Sequence, residues 1–183
     1  NGAIRHSLRV ARFDDVSQSW VALGGNLNVV PNTRAGGGLL AESGDQLYVA
    51  WREGAFDQTP PYSLYVKSFN GSSWTSLGAN PAQVTTTAGG NYGPVFMGDH
   101  LVAGDSRITL IAWGDNELNV KRFDGTSWIT VATTGTGAVS RPYNYYMSAP
   151  SIAAAPFGND VFLAWQSRES TNLRGRIWSA YID

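Results

Sequence analysis

Apolar and polar residues alternate along this chain in short runs, and no stretch holds a helical period of three to four. LYVAW, from Leu47 to Trp51, places Leu47, Val49 and Trp51 on one face of an extended strand and Tyr48 and Ala50 on the other. Both faces are largely apolar. TLIAW, ending at Trp113, and DVFLAW, ending at Trp165, have the same character. Strands of this kind belong to sheets covered on both sides. Pro and Gly recur too often for a helix of useful length.

The pattern repeats. LRVARFDDVSQSWVALG from Leu8, LYVKSFNGSSWTSLG from Leu64 and LNVKRFDGTSWITVA from Leu118 align, with their tryptophans at Trp20, Trp74 and Trp128, 54 residues apart each time. A fourth segment, IWSAYID, begins at Ile177. The Ala-Trp strands lie between these hairpins. Each repeat therefore predicts four strands. Strand A is LLA from Leu39, PVFM from Pro94 or PSIAA from Pro150. Strand B is the Ala-Trp segment, strand C the LxVxxF segment, and strand D follows the Ser-Trp pair. Gly44-Asp45 and Gly158-Asn159 fall between A and B, and Asn70-Gly71 and Asp124-Gly125 between C and D. Such pairs supply the positive φ of tight hairpin turns.

Four-stranded antiparallel units of roughly 55 residues, each covered only by its neighbours, predict an all-β fold of β-propeller type. The expectation is a single module over residues 1–183 with about three blades. Its repeats run over approximately 8–63, 64–117 and 118–176, with a partial fourth at 177–183. Propellers close with about four to eight blades. Three would leave apolar faces bare. The chain is thus expected to act as a homo-oligomer, a dimer closing a six-bladed ring, or as a fragment of a longer propeller.

SFNGSSW from Ser68 and RFDGTSW from Arg122 resemble a degenerate form of the Asp-box repeat of sialidase-type propellers, Ser-x-Asp-x-Gly-x-Thr-Trp. The Asp or Asn, the Gly and the Trp are present. The Gly directly follows Asp124, the Trp comes one residue early, and FDDVSQSW lacks the Gly. In that family the box serves the fold and lies away from the active site, so the resemblance implies architecture and transfers no catalytic residue. In repeat organisation the chain also resembles tandem-repeat lectin propellers.

Composition narrows the chemistry. Charged residues make up 15% of the 183 and the net charge is −1, with no basic stripe to neutralise a phosphate backbone, so nucleic acid is not an expected partner. No apolar run approaches the ~20 residues that span a bilayer, and no membrane partner is expected. The absence of Cys removes disulfides, thiolate metal sites and a Cys nucleophile. It leaves the compartment open, with the extracellular side favoured. No dinucleotide, P-loop, zincin or EF-hand pattern occurs, so no cofactor or metal is expected.

Candidate ligand contacts lie on the long connections between repeats, because loops held by a rigid scaffold carry binding. The connection from Thr133 brings Arg141, Tyr143, Asn144, Tyr145 and Tyr146 within a few residues; that from Ala79 carries Tyr92, and that from Asn26 carries Arg34. Aromatic rings stack on sugar faces, while Asn and Arg hydrogen-bond hydroxyls. The same tyrosines could instead close a central channel or pad blade contacts. An acidic residue follows each Ala-Trp strand: Glu53, Asp115 and Glu169. Glu53 joins the candidate set. The alternative for all three is a solvated strand end. His6 and His100 hold unrelated places in the repeat and read as surface or turn residues.

The leading functional expectation is a non-catalytic binding module, with carbohydrate the first ligand class and protein the second. A sialidase-like glycoside hydrolase completed by further blades, and a purely structural assembly unit, are the alternatives. No catalytic residue is assigned.

Overall fold

Short strands with two apolar faces lose both to protein only when sheets are layered. The computed structural model has this arrangement. It describes residues 6–54, 62–78, 85–86, 100–104, 107–114, 117–133, 145–146, 152–169 and 175–183. A hairpin of β1 (Ala11–Asp14) and β2 (Ser19–Ala22) comes first. The first sheet follows, in the order β3 (Arg34–Ser43), β4 (Gln46–Gly54), β5 (Tyr62–Phe69), β6 (Trp74–Ser76), with β7 (Thr85–Thr86) pairing against the start of β5. The second sheet is β8 (His100–Ala103), β9 (Ile108–Gly114), β10 (Glu117–Phe123), β11 (Trp128–Thr133). In the third, β12 (Tyr145–Tyr146) and β13 (Ile152–Phe157) pair with β14 (Asp160–Glu169), which also pairs with β15 (Gly175–Ile182). Every pairing is antiparallel. The protein is all-β, built of successive antiparallel sheets.

Three apolar cores separate the layers. Val10, Leu27, Val49, Trp51 and Tyr65 fill the space between the hairpin side and the first sheet. Ala50, Leu64 and Val66 meet Leu101, Ile108, Leu110 and Trp128 between the first and second. Val102, Ile111, Val120 and Ala132 meet Val161, Leu163 and Ile182 between the second and third. The two-faced reading of LYVAW therefore holds: Val49 and Trp51 enter one core and Ala50 the next. Along the stack β3 lies against β8, and β8 against β13, so the first strand of each sheet neighbours the first strand of the next.

The hairpins share one device. Phe13 pairs with Trp20, Phe69 with Trp74 and Phe123 with Trp128, each across the strands and in ring contact at 4.9–5.5 Å. Asn70 Oδ1 accepts from the Ser72 and Ser73 N–H groups, and Asp124 Oδ1 from those of Thr126 and Ser127. Asp14 accepts from Ser17 in the longer first turn. These acceptors fold the turn back on itself. Gly71 and Gly125 take φ of 93° and 100°, as the Asn-Gly and Asp-Gly pairs predict. The indole of Trp74 then donates to the Leu23 carbonyl (2.6 Å) and that of Trp128 to the Leu77 carbonyl (2.8 Å), tying each hairpin to the one before it.

Two expectations change in detail. The strand paired with β9 is HLVA, His100–Ala103; PVFM lies outside the described residues. The Gly104 N–H donates to the Arg107 carbonyl and closes the β8–β9 turn, which fixes that register. The first A strand starts at Arg34, five residues before LLA, because a bulge between Gly36 and Leu39 lets the glycine run continue the ladder. The link from β9 to β10 is short, since Gly114 already pairs with Glu117.

Candidate functional site

A carboxylate inside a strand must find donors or leave its charge unsolvated. Glu53 occupies β4 and is 3% exposed. Its Oε1 accepts from the Val29 N–H (2.6 Å) and the Trp51 indole (2.8 Å), and its Oε2 from the Val30 N–H (2.9 Å). The Thr33 hydroxyl sits 2.8 Å from Oε2 and 2.7 Å from the Val30 carbonyl, sharing one proton between them. A solvated strand end is thus the wrong description of Glu53. It pins the connection between hairpin and first sheet from below, with its oxygens spent on the protein.

Lys67 supports the same region from β5. Its ammonium donates to the Leu27 carbonyl at 3.0 Å and lies 5.7 Å from the centre of the Trp51 ring, itself stacked on Tyr65. Burial lowers the Lys67 pKa, partly offset by the negative charge of Glu53. Burial also raises the Tyr65 pKa, and Glu53 adds to that rise.

Asn28 completes the frame. Its side-chain oxygen accepts from the Leu8 N–H, and its amide donates to the carbonyls of His6 and Thr33. Arg34, half-buried in β3, donates from Nε to His6 Nδ1 at 3.2 Å. That bond engages Nδ1 as an acceptor and leaves His6 Nε2 without a protein partner among the described residues. The connection so held borders a recess of about 290 Å³ lined by His6, Ser7, Asn26, Asn32, Val29 and Pro31, among others. Asn32 stands at φ 63°, in the left-handed region that Asn tolerates well. Among the described residues, the Asn32 amide, the Ser7 hydroxyl and the Asn26 NH₂ have no protein partner. A small wall of Val29, Val30 and Pro31 flanks these unspent polar groups.

A larger hollow of about 950 Å³ opens at the tight-turn end, where Arg107, Arg122, Asp124, Asp160 and Asp183 meet. Its charges are mostly committed. Arg122 donates to the carbonyls of Asp183 (2.7 Å) and Ile182 (3.4 Å), leaving Nε without a partner among the described residues. Burial, with Arg107 alongside, lowers its pKa against the opposing pull of Asp160 and Asp183. The Tyr181 hydroxyl donates to Asp160, and Asp124 serves its turn. Around the hollow three carboxylates stand against two guanidiniums, a net −1 for these side chains. Among the described residues no group of three His, Cys, Asp or Glu is placed to hold a metal ion.

The remaining candidates divide. Tyr92, Arg141, Tyr143 and Asn144 lie outside the described residues. Tyr145 and Tyr146 form β12, whose backbone pairs with Glu169 and Arg168 and extends the line of β13. Arg34 and Glu53 are brought to one place, at the connection from Asn26. His6, Asn26 and Asn32 join them there without having been singled out by the sequence. Their signal was the Asn-rich run NLNVVPN beside a residue that returns from far along the chain. No family model matches this chain, and no curated protein resembles it closely enough to indicate a relationship.

Proposed function

We propose that this chain is a non-catalytic binding module of β-propeller type, with carbohydrate as its leading ligand class and protein second. The layered sheets, with their first strands adjoining in succession, support the propeller reading. The repeated Asx turn with its Phe–Trp pair supports the likeness to the Asp-box hairpin. The observation that carries the binding reading is the connection over Glu53: a loop fixed by a buried carboxylate, presenting unspent amide, hydroxyl and imidazole groups beside a small aliphatic wall. Preorganised polar groups of this kind suit sugar hydroxyls, because little loop entropy is lost on binding. Glu53 itself offers no free oxygen for general acid–base chemistry.

A glycan array followed by calorimetric titration of any responding oligosaccharide tests the reading. Binding that weakens about tenfold or more in Asn32→Ala supports it, the loss of one well-placed polar contact being worth roughly 1–2 kcal/mol. Flat responses across the array remove the carbohydrate assignment.

A further inference from the structure

Asn70 and Gly71 begin the tight turn between β5 and β6, and the four residues from Asn70 to Ser73 are exposed. Three donors converge on the Asn70 side-chain oxygen: the N–H groups of Ser72 and Ser73, each at 3.0 Å, and the Ser72 hydroxyl at 2.9 Å. Among the described residues, neither the Asn70 NH₂ nor the Gly71 N–H has a protein partner. Gly71 stands at φ 93°, with nothing within 4 Å of the place a Cβ would take, so water reaches its backbone freely. Every other Asn among the described residues precedes a bulkier residue: Leu27, Val29, Thr33, Val120 or Asp160. Their side chains crowd the nitrogen that follows the Asn.

Donors held around a carbonyl oxygen strengthen as negative charge develops on it, which lowers the barrier to attack at the attached carbon. The Asx turn that folds this hairpin therefore doubles as an oxyanion site at Asn70 Cγ. The Gly71 nitrogen is the nucleophile in reach along the chain, since its attack closes a five-membered ring.

We propose that Asn70 is a site of spontaneous deamidation in the folded protein, with water as co-reactant. Solvent base takes the Gly71 N–H proton, and the nitrogen attacks Asn70 Cγ. The Cγ–N bond forms, the Cγ–Nδ2 bond breaks, and ammonia leaves with a proton returned from solvent. Water then opens the imide. Cleavage of the new Cγ–N bond gives an ordinary aspartate, whereas cleavage at the main-chain carbonyl gives the β-linked isomer. The net change is OH for NH₂, with nothing oxidised or reduced.

The two products act differently on the fold. The ordinary aspartate reproduces the turn of Asp124, whose Oδ1 accepts from the N–H groups of Thr126 and Ser127. The β-linked isomer adds a carbon to the main chain between Phe69 and Trp74 and disturbs their pairing. It thereby loosens the Trp74 indole from the Leu23 carbonyl.

Incubation of the native chain at mildly alkaline pH, followed by peptide mapping with mass spectrometry, tests the proposal. Mapping separates Asn70 from Asn1, which also precedes a glycine, and the free peptide KSFNGSSWTS serves as the reference. Asn70 should convert faster in the folded chain than in the peptide. Ser72→Ala removes one exposed donor and should slow the folded chain about two- to tenfold, the worth of a single hydrogen bond. The same change in the peptide should leave its rate unaltered. Conversion in the folded chain no faster than in the peptide overturns the proposal. So does a Ser72→Ala chain that converts as fast as the parent, or one slowed no more than its peptide.

Discussion

The indole N–H of Trp128 donates to the Leu77 carbonyl, 51 residues earlier, at 2.8 Å, and Trp74 stands in the same relation to Leu23. One side chain thus satisfies the end of a strand in the preceding layer while its ring fills the space between layers. Trp128→Phe keeps most of the ring but leaves that carbonyl without its indole donor. A loss of about 1–3 kcal/mol in urea unfolding is expected, the cost of an unsatisfied buried polar group. Trp20→Phe, at an indole that is 72% exposed and makes no hydrogen bond among the described residues, should change stability by less than about 0.5 kcal/mol.

Glu53→Gln places an amide NH₂ among groups that are themselves donors, the N–H groups of Val29 and Val30 and the Trp51 indole. A destabilisation of about 1.5–3 kcal/mol is expected, as for hydrogen bonds to a charged acceptor. The amide signals of Val29 and Val30 should move most in a heteronuclear NMR spectrum. If stability and those signals stay unchanged, the carboxylate does not anchor the connection.

Gly104 meets the turn of the next sheet backbone to backbone. A Cβ added there would fall inside van der Waals contact of the Gly158 carbonyl oxygen and lie 3.1 Å from Asn159 Cα. Neither is the yielding end of a long side chain. Gly104→Ala should cost about 1–3 kcal/mol through overpacking. Gly25→Ala, with nothing within 4 Å of the added atom, serves as the control and should be nearly neutral. Equal unfolding midpoints for the two variants would contradict the close approach of the second and third sheets.

Acid stability should depend on Asp124. The N–H groups of Ser127 and Thr126 hold its carboxylate below the ordinary value of 3.8. A depressed folded pKa adds stability above the unfolded pKa, and that share is lost as pH falls from about 3.8 through the folded value. Asp124→Asn keeps the acceptor, as Asn70 does in the preceding repeat, and removes the titration. The variant's urea midpoint should therefore fall less steeply than the parent's below pH 4. Parallel slopes would show that Asp124 does not contribute to the acid limb.

What was legible in the sequence was local or periodic. The two-faced strand around Trp51, the turns at Asn70-Gly71 and Gly44-Asp45, and the 54-residue step of the hairpin tryptophans all survive in the structure. These features are written within a few residues of each other or repeat at fixed spacing. The alternative of a solvated strand end fails for Glu53, which the sequence shows only as a charge closing an apolar run. Its burial depends on donors from a connection more than twenty residues away. The strand at His100 was displaced from PVFM for a related reason: several short apolar runs precede β9, and only the turn between Gly104 and Arg107 selects one. The recess has no aromatic run to mark it, unlike the tyrosine-rich connection from Thr133.

The layering of sheet upon sheet is tested most directly by hydrogen exchange at the indole of Trp128, followed by NMR on the native chain. A seat between two layers protects this proton until the layers separate, so exchange should be slowed roughly a thousandfold or more relative to free indole, approaching the limit set by global unfolding. Exchange as fast as that of free indole would mean that Trp128 is open to water and that the sheets do not lean on one another as described.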